Sequence, residues 1–188
     1  MSVVVTSRLI LRPLSPSDAE AYVAMRFHPG IAAWLPTSPG DPLERARATI
    51  DAFAADWSAR GYAPWGAFER VAMHDGAARE GRLVGHVGLR FLPEFDGTEV
   101  LYAFLPELHG RGYAREAASA SLDFGFDVVG LPSILAITLE TNVRSWGLMK
   151  RLGMTRGADG RYKGLDVVRY DIDAATWRQL RGPGVAES

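Results

Sequence analysis

The chain has 188 residues, a length for one domain at roughly 100 to 200 residues per domain, and its 47% hydrophobic and 23% charged residues exclude a disordered tail protein and a membrane bundle. Lys and Arg number 21 against 22 Asp and Glu, so no overall field draws in nucleic acid or an anionic membrane. The absence of cysteine rules out disulfides, thiolate metal sites and cysteine nucleophiles.

Residues 1–5 are too short an apolar run for a signal peptide, and no stretch approaches the roughly 18 apolar residues of a membrane span, so a cytoplasmic protein is expected. Residues 8–12 read as a strand stopped by Pro13, and Ser15-Pro16-Ser17-Asp18 opens a helix running to Arg26. Prolines and glycines break the pattern between His28 and Pro42; Asp41-Pro42-Leu43-Glu44 then opens a second helix that Gly61 can end. Residues 64–73, 82–92 and 98–105 read as three strands of a meander, joined by the turns His74-Asp75-Gly76 and Asp96-Gly97, with Gly81 at the first junction. From Gly112 the period changes: Ala114, Ala117, Ala118, Ser121, Leu122 and Gly125 form a small-residue helix face. A strand over 133–139, a helix over 142–152 stopped by Gly153, and a strand over 166–172 complete the pattern. One domain over 1–181 with a disordered tail over 182–188 is expected, with an α/β sandwich and a mixed sheet.

The strand over 98–105 runs through Pro106-Glu107-Leu108 into Gly110-Arg111-Gly112 and then directly into a helix. Glycines let backbone N–H groups approach a phosphate, and a helix N-terminus adds unsatisfied donors and a positive dipole end. Arg111 and Arg115 can add charge-assisted contacts. Read alone, the same residues also suit a plain turn before a packed helix. A dinucleotide fingerprint fits poorly, because Arg115 stands where its third glycine is required.

His109-Gly110-Arg111-Gly112-Tyr113-Ala114 resembles the acetyl-CoA pyrophosphate loop of the GCN5-related N-acetyltransferase (GNAT) family, Q/R-x-x-G-x-G/A, in the form carried by its ribosomal-protein (RimJ/RimL-like) branch. His109 departs from the family's first residue. A second segment, Asn142-Val143-Arg144-Ser145 through Leu152-Gly153-Met154, resembles the family's N-x-x-S and L-G-F signature. Arg8-Leu9-Ile10-Leu11-Arg12, Trp65-Gly66-Ala67 and Leu83-Val84-Gly85-His86-Val87-Gly88 resemble the branch as well.

The resemblance implies an α/β GNAT fold: a mixed, mostly antiparallel sheet of about six or seven strands flanked by helices. The family's fourth and fifth strands, here 98–105 and 133–139, splay into a cleft for the pantetheine arm, the fourth carrying a bulge. It implies transfer of acetyl from acetyl-CoA to a primary amine, of a protein N-terminus or a small molecule, by direct attack. By the same resemblance, Ala103, Phe104 and Leu105 hold the arm, His109, Gly110, Arg111, Gly112, Tyr113, Ala114 and Arg115 hold the pyrophosphate, and Asn142 and Ser145 contact the pantetheine end. Glu99 matches the general base, needed because an alkylammonium has a pKa of about 10. Ser145 is the candidate to protonate the departing sulfur, since Met149 stands where many relatives place an acidic tyrosine.

Glu140 is a second candidate base, and Trp34, Trp57, Tyr62, Trp65 and Tyr102 offer aromatic surface for a substrate. His28, His74, His86 and His109 lack metal-ligand spacing, so no metal is expected. A monomer or homodimer is expected, without nucleic-acid or membrane partners. A non-catalytic CoA-binding sensor or docking module of the same fold is the alternative from another class.

Overall fold

The computed structural model describes residues 2–35, 39–73 and 77–182. The His74-Asp75-Gly76 turn and residues 183–188 of the expected tail lie outside the described residues. The contacts gather into two compact units, one formed by the residues up to Arg90 with Leu101–Ser121, the other by Phe91–Val100 with the residues from Leu122 on.

The first unit opens with β1 (Val4–Val5) and β2 (Leu9–Arg12), followed by a 3-10 turn at Pro16–Asp18, α1 (Ala19–Arg26), the short α2 (Pro29–Ala32) and α3 (Pro42–Arg60). Asp41 caps α3, its Oδ1 accepting from the Leu43 and Glu44 N–H groups at 2.9 Å, and Gly61 ends it in the left-handed region at φ 75°. β3 (Pro64–Ala72) pairs antiparallel with both β2 and β4 (Ala78–Leu92). Gly81, expected at a turn, lies inside β4, where an added Cβ would sit 2.9 Å from a Val71 methyl; the glycine serves close strand approach. The β3–β4 pairing shifts register beside Phe68. β5 (Gly97–Phe104) contributes its second half here; the Leu105 N–H that follows donates to the Val84 carbonyl at 2.9 Å. A 3-10 turn at Pro106–Leu108 then leads into α4 (Tyr113–Asp123).

The core of this unit is built from Leu9, Leu11, Tyr22, Met25, Ile50 and Trp65, all essentially sealed from solvent. Trp57 and Trp65 pack with their rings tilted by 50° and their centroids 5.5 Å apart, and Tyr62 is buried as well. These three aromatics, considered as substrate surface on sequence grounds, serve packing instead.

The second unit starts with the end of β4, a 3-10 turn at Pro93–Phe95 and the first half of β5, and resumes at the end of α4, passing through a π-helical turn at Phe124–Val128 into β6 (Ser133–Thr138), α5 (Val143–Arg151), β7 (Thr155–Arg156), β8 (Gly160–Tyr162), β9 (Leu165–Asp173) and α6 (Ala174–Arg181). β5 pairs parallel with β6 at Glu99 and Leu135, whereas β6, β7 and β8 all pair antiparallel with β9. Six longer strands match the expected number; β1, β7 and β8 are additional pieces of two or three residues. Asp173 caps α6 by accepting the Thr176 N–H at 2.7 Å, and Trp177 buries the helix's apolar side.

Candidate functional site

The glycine loop belongs to the first unit. Leu108 N–H donates to Leu105, His109 N–H to Pro106 and Arg111 N–H to Leu108, so the chain winds through successive tight turns toward α4. Gly110 and Gly112 lie at φ 75° and 82°, the left-handed region that glycine enters without steric cost. The Gly112 carbonyl accepts the Glu116 N–H at 3.0 Å and starts the helical ladder. The N–H groups of residues 112–115 find no acceptor among the described residues, as a helix start requires. Arg111 and Arg115 are exposed beside them. Four adjacent donors at the positive end of a helix, flanked by two guanidinium groups, can bind a phosphate.

The His109 ring Nε2 donates to the Phe104 carbonyl at 3.0 Å and ties the loop to the end of β5. Leu105 spends its N–H on Val84, while its carbonyl accepts from Leu108. The structure thus joins Ala103, Phe104, Leu105 and the loop residues in one continuous stretch of the first unit.

Sequence reasoning missed the residues that hold this loop. Glu116 Oε1 accepts from Thr6 Oγ1 at 2.6 Å, Ser7 Oγ at 3.0 Å and the Arg8 N–H at 2.8 Å, and its Oε2 accepts from Arg8 Nε at 2.7 Å. Partial burial works to raise the Glu116 carboxyl, but the hydrogen bonds from Thr6, Arg8 and Ser7 outweigh it and hold the group below the usual carboxylate range. Arg8 Nη1 donates to the Arg111 carbonyl at 2.7 Å, and its guanidinium lies 4.3 Å from the centre of the Tyr113 ring. The sequence signals were Arg8 in a run that resembles the family and an acidic residue in a first helical turn, which reads as a dipole complement; neither names the contact between them.

Glu99, Asn142 and Ser145 fall in the second unit. Glu99 is buried, only 2% exposed. Asn142 is the N-cap of α5, its Oδ1 accepting the Ser145 N–H at 3.3 Å. Ser145 is half-buried and heads the apolar stripe of Leu148, Met149 and Leu152, all buried. Glu140 is 75% exposed, and its carboxylate pairs with Arg156 at 3.4 Å. It lines an open cavity of about 320 Å³ with Asp159, Arg161 and Asp166.

The described histidines are engaged separately. His28 Nδ1 accepts the Gly30 N–H at 3.2 Å, His109 serves the loop, and His86 Nδ1 meets the Tyr22 hydroxyl at 2.9 Å in the core. Burial first, then the positive charges of Arg26 and Arg90, push His86 down to about 3. Burial raises Tyr22 to about 12.

Residues 8–155 match the family model described as an acetyltransferase (GNAT) domain, and the chain belongs to that family. It is 28% identical over 152 residues to the uncharacterized N-acetyltransferase YoaA of Bacillus subtilis, covering 80% of this chain and 81% of the relative. An acetyltransferase from Agrobacterium tumefaciens superposes with a TM-score of 0.74 at 23% identity, over 92% of this chain and 94% of the other. The ribosomal-protein-S5-alanine acetyltransferase of Vibrio fischeri does so with a TM-score of 0.73 at 17% identity, over 95% and 100% of the two chains. The fold is therefore the α/β GNAT fold, with a mixed, mostly antiparallel sheet and flanking helices, and the chain is an acyltransferase.

Proposed function

We propose that the protein moves the acetyl group of acetyl-CoA to a primary amine by direct attack, with the glycine loop holding the cosubstrate's diphosphate. The observation that carries this reading is the run of N–H groups 112–115, which have no acceptor among the described residues, opening a helix beside Arg111 and Arg115. His109, Gly110, Tyr113 and Ala114 complete the loop, and Ala103, Phe104 and Leu105 lead the cosubstrate away from it. Asn142 and Ser145 serve its thioester end. Residues 1–181 act as one functional domain.

In the reaction the acceptor must be a neutral amine. Glu99 takes the ammonium proton, directly or through water; the nitrogen then attacks the thioester carbonyl, the tetrahedral intermediate gives its second nitrogen proton to solvent, and its collapse expels the CoA thiolate, which is protonated by solvent or by Ser145, itself reprotonated from solvent. Likeness to the ribosomal-protein-S5-alanine acetyltransferase supports the RimJ/RimL-like branch, and with it a protein N-terminal amine or a small amine as acceptor. A cytoplasmic monomer or homodimer fits this role; no described helix is long and apolar enough to cross a membrane.

Release of CoA from acetyl-CoA, measured against a panel of amines and N-terminal peptides, tests the activity. Glu99→Gln should lower turnover by about 100-fold or more at neutral pH, with acetyl-CoA affinity held within about two-fold. Wild-type turnover in that variant removes Glu99 from the mechanism. Absence of CoA release across the panel, despite tight acetyl-CoA binding, makes the chain a sensor or docking module.

A further inference from the structure

We infer that Arg8 is a positioning residue for the phosphate loop: by fixing the Arg111 carbonyl it aims the Gly112 N–H at the cosubstrate. The inference rests on the loop's proposed role in holding acetyl-CoA. The Arg8 guanidinium is restrained on several sides. Nε is bound to Glu116 Oε2 at 2.7 Å, Nη1 to the Arg111 carbonyl at 2.7 Å, and the plane lies 4.3 Å from the Tyr113 ring centre. Nη2 stands 3.2 Å from where a Cβ on Gly112 would be. The backbone around Arg8 is pinned too, since Glu116 also takes the Arg8 N–H and the Thr6 and Ser7 hydroxyls.

A trans peptide is planar, and its C=O and N–H point in opposite directions. The Arg111 carbonyl and the Gly112 N–H belong to the same peptide. Drawing that carbonyl onto Arg8 therefore turns the Gly112 N–H away from Arg8. Gly112 itself sits at φ 82°, between two soft torsions that would otherwise let this peptide rotate. Preorganising a donor removes an ordering cost that ligand binding would otherwise carry.

Charge separates this role from direct phosphate binding. The Arg8 guanidinium already faces a carboxylate at 2.7 Å, and Glu116 is held ionised by its donors, so the pair presents little net positive field. Arg111 and Arg115 remain the cations of the loop. Lysine cannot replace Arg8, because a single ammonium cannot span Glu116, the Arg111 carbonyl and the Tyr113 face with a planar fork.

The test compares wild type, Arg8→Lys, Arg8→Ala and Glu116→Gln using two acyl donors: acetyl-CoA, and S-acetyl-pantetheine, which lacks the diphosphate. Melting temperatures without ligand are recorded alongside. We expect both Arg8 variants to raise KM for acetyl-CoA by about ten-fold, with kcat within about two-fold, and Glu116→Gln to shift it in the same direction. With S-acetyl-pantetheine the variants should match wild type. A wild type that does not bind acetyl-CoA overturns the functional reading itself. If wild type binds it and Arg8→Lys keeps the wild-type KM, the positioning role is overturned. Equal losses with both donors, tracking a lowered melting temperature, overturn it as well, since they mark Arg8 as structural only.

Discussion

A neutral imidazole sealed in the core beside a phenol makes His86 a residue through which mild acid reaches this protein. Its folded-state value of about 3 lies far below the ordinary 6.5, so between these limits the unfolded chain binds the extra proton. Stability is then fully present above pH 6.5 and declines as pH falls toward 3, with a slope approaching about 1.4 kcal/mol per pH unit. Asp18 acts lower down. Burial raises it, but hydrogen bonds from Arg12 and Ser15 prevail and bring it to about 2, so its contribution is lost only as pH falls from 3.8 toward 2. His86→Gln keeps an acceptor for Tyr22 without a titrating ring. Denaturant unfolding should find its stability flatter than wild type between pH 6.5 and 4, with the steep loss below 3.8 retained. A wild-type slope in the variant would remove His86 as the cause. Residues of this kind are hard to read in a sequence, because their partners are distant. Glu116 and the Arg8 N–H meet across 108 positions, and no local pattern announces that. Glu99 was legible as a strand glutamate, but its burial depends on neighbours that periodicity does not name.

At the scale of elements, the ends of helices carry the clearest local chemistry. Asp41-Pro42 and Gly61 delimit α3 as their side chains and torsions require, and Asn142 and Gly153 bracket α5 likewise. The pieces that escaped are those whose formation depends on a partner. β1, β7 and β8 have two or three residues, too few for an alternation, and form by pairing with β2 or β9. α6 was hidden because its cap, Asp173, is also the last residue of β9. The cap of α5 has two proposed duties, and substitution can separate them. Asn142→Ala removes the acceptor for the Ser145 N–H and should cost about 1 kcal/mol in urea unfolding. Asn142→Asp keeps that acceptor but replaces the amide NH2 by a second carboxylate oxygen. It should retain wild-type stability while weakening acetyl-CoA binding. Unchanged binding in both variants would leave Asn142 as a cap only.

For the molecule as a whole, charge sets how the cosubstrate is captured. The chain carries a formal net charge of −1 at pH 7, so its long-range field gives polyanionic CoA no favourable approach. On the proposed reading, recognition rests on short-range donors at the loop, where N–H groups 112–115 and two arginines are concentrated. A ligand that binds the native state alone stabilises it by about 2.7 kcal/mol at 100 times its dissociation constant. For a chain of this size that is a rise of roughly 5 to 10 °C in melting temperature. Gly112→Asp opposes this in two ways. It puts a side chain on a backbone at φ 82° with Arg8 Nη2 only 3.2 Å away, and it adds a negative charge next to the N–H groups proposed to bind the diphosphate. Differential scanning calorimetry should show the acetyl-CoA shift largely lost in Gly112→Asp. A shift equal to wild type in that variant would mean that the cosubstrate is held elsewhere, and no shift in wild type at saturating CoA would deny the site altogether.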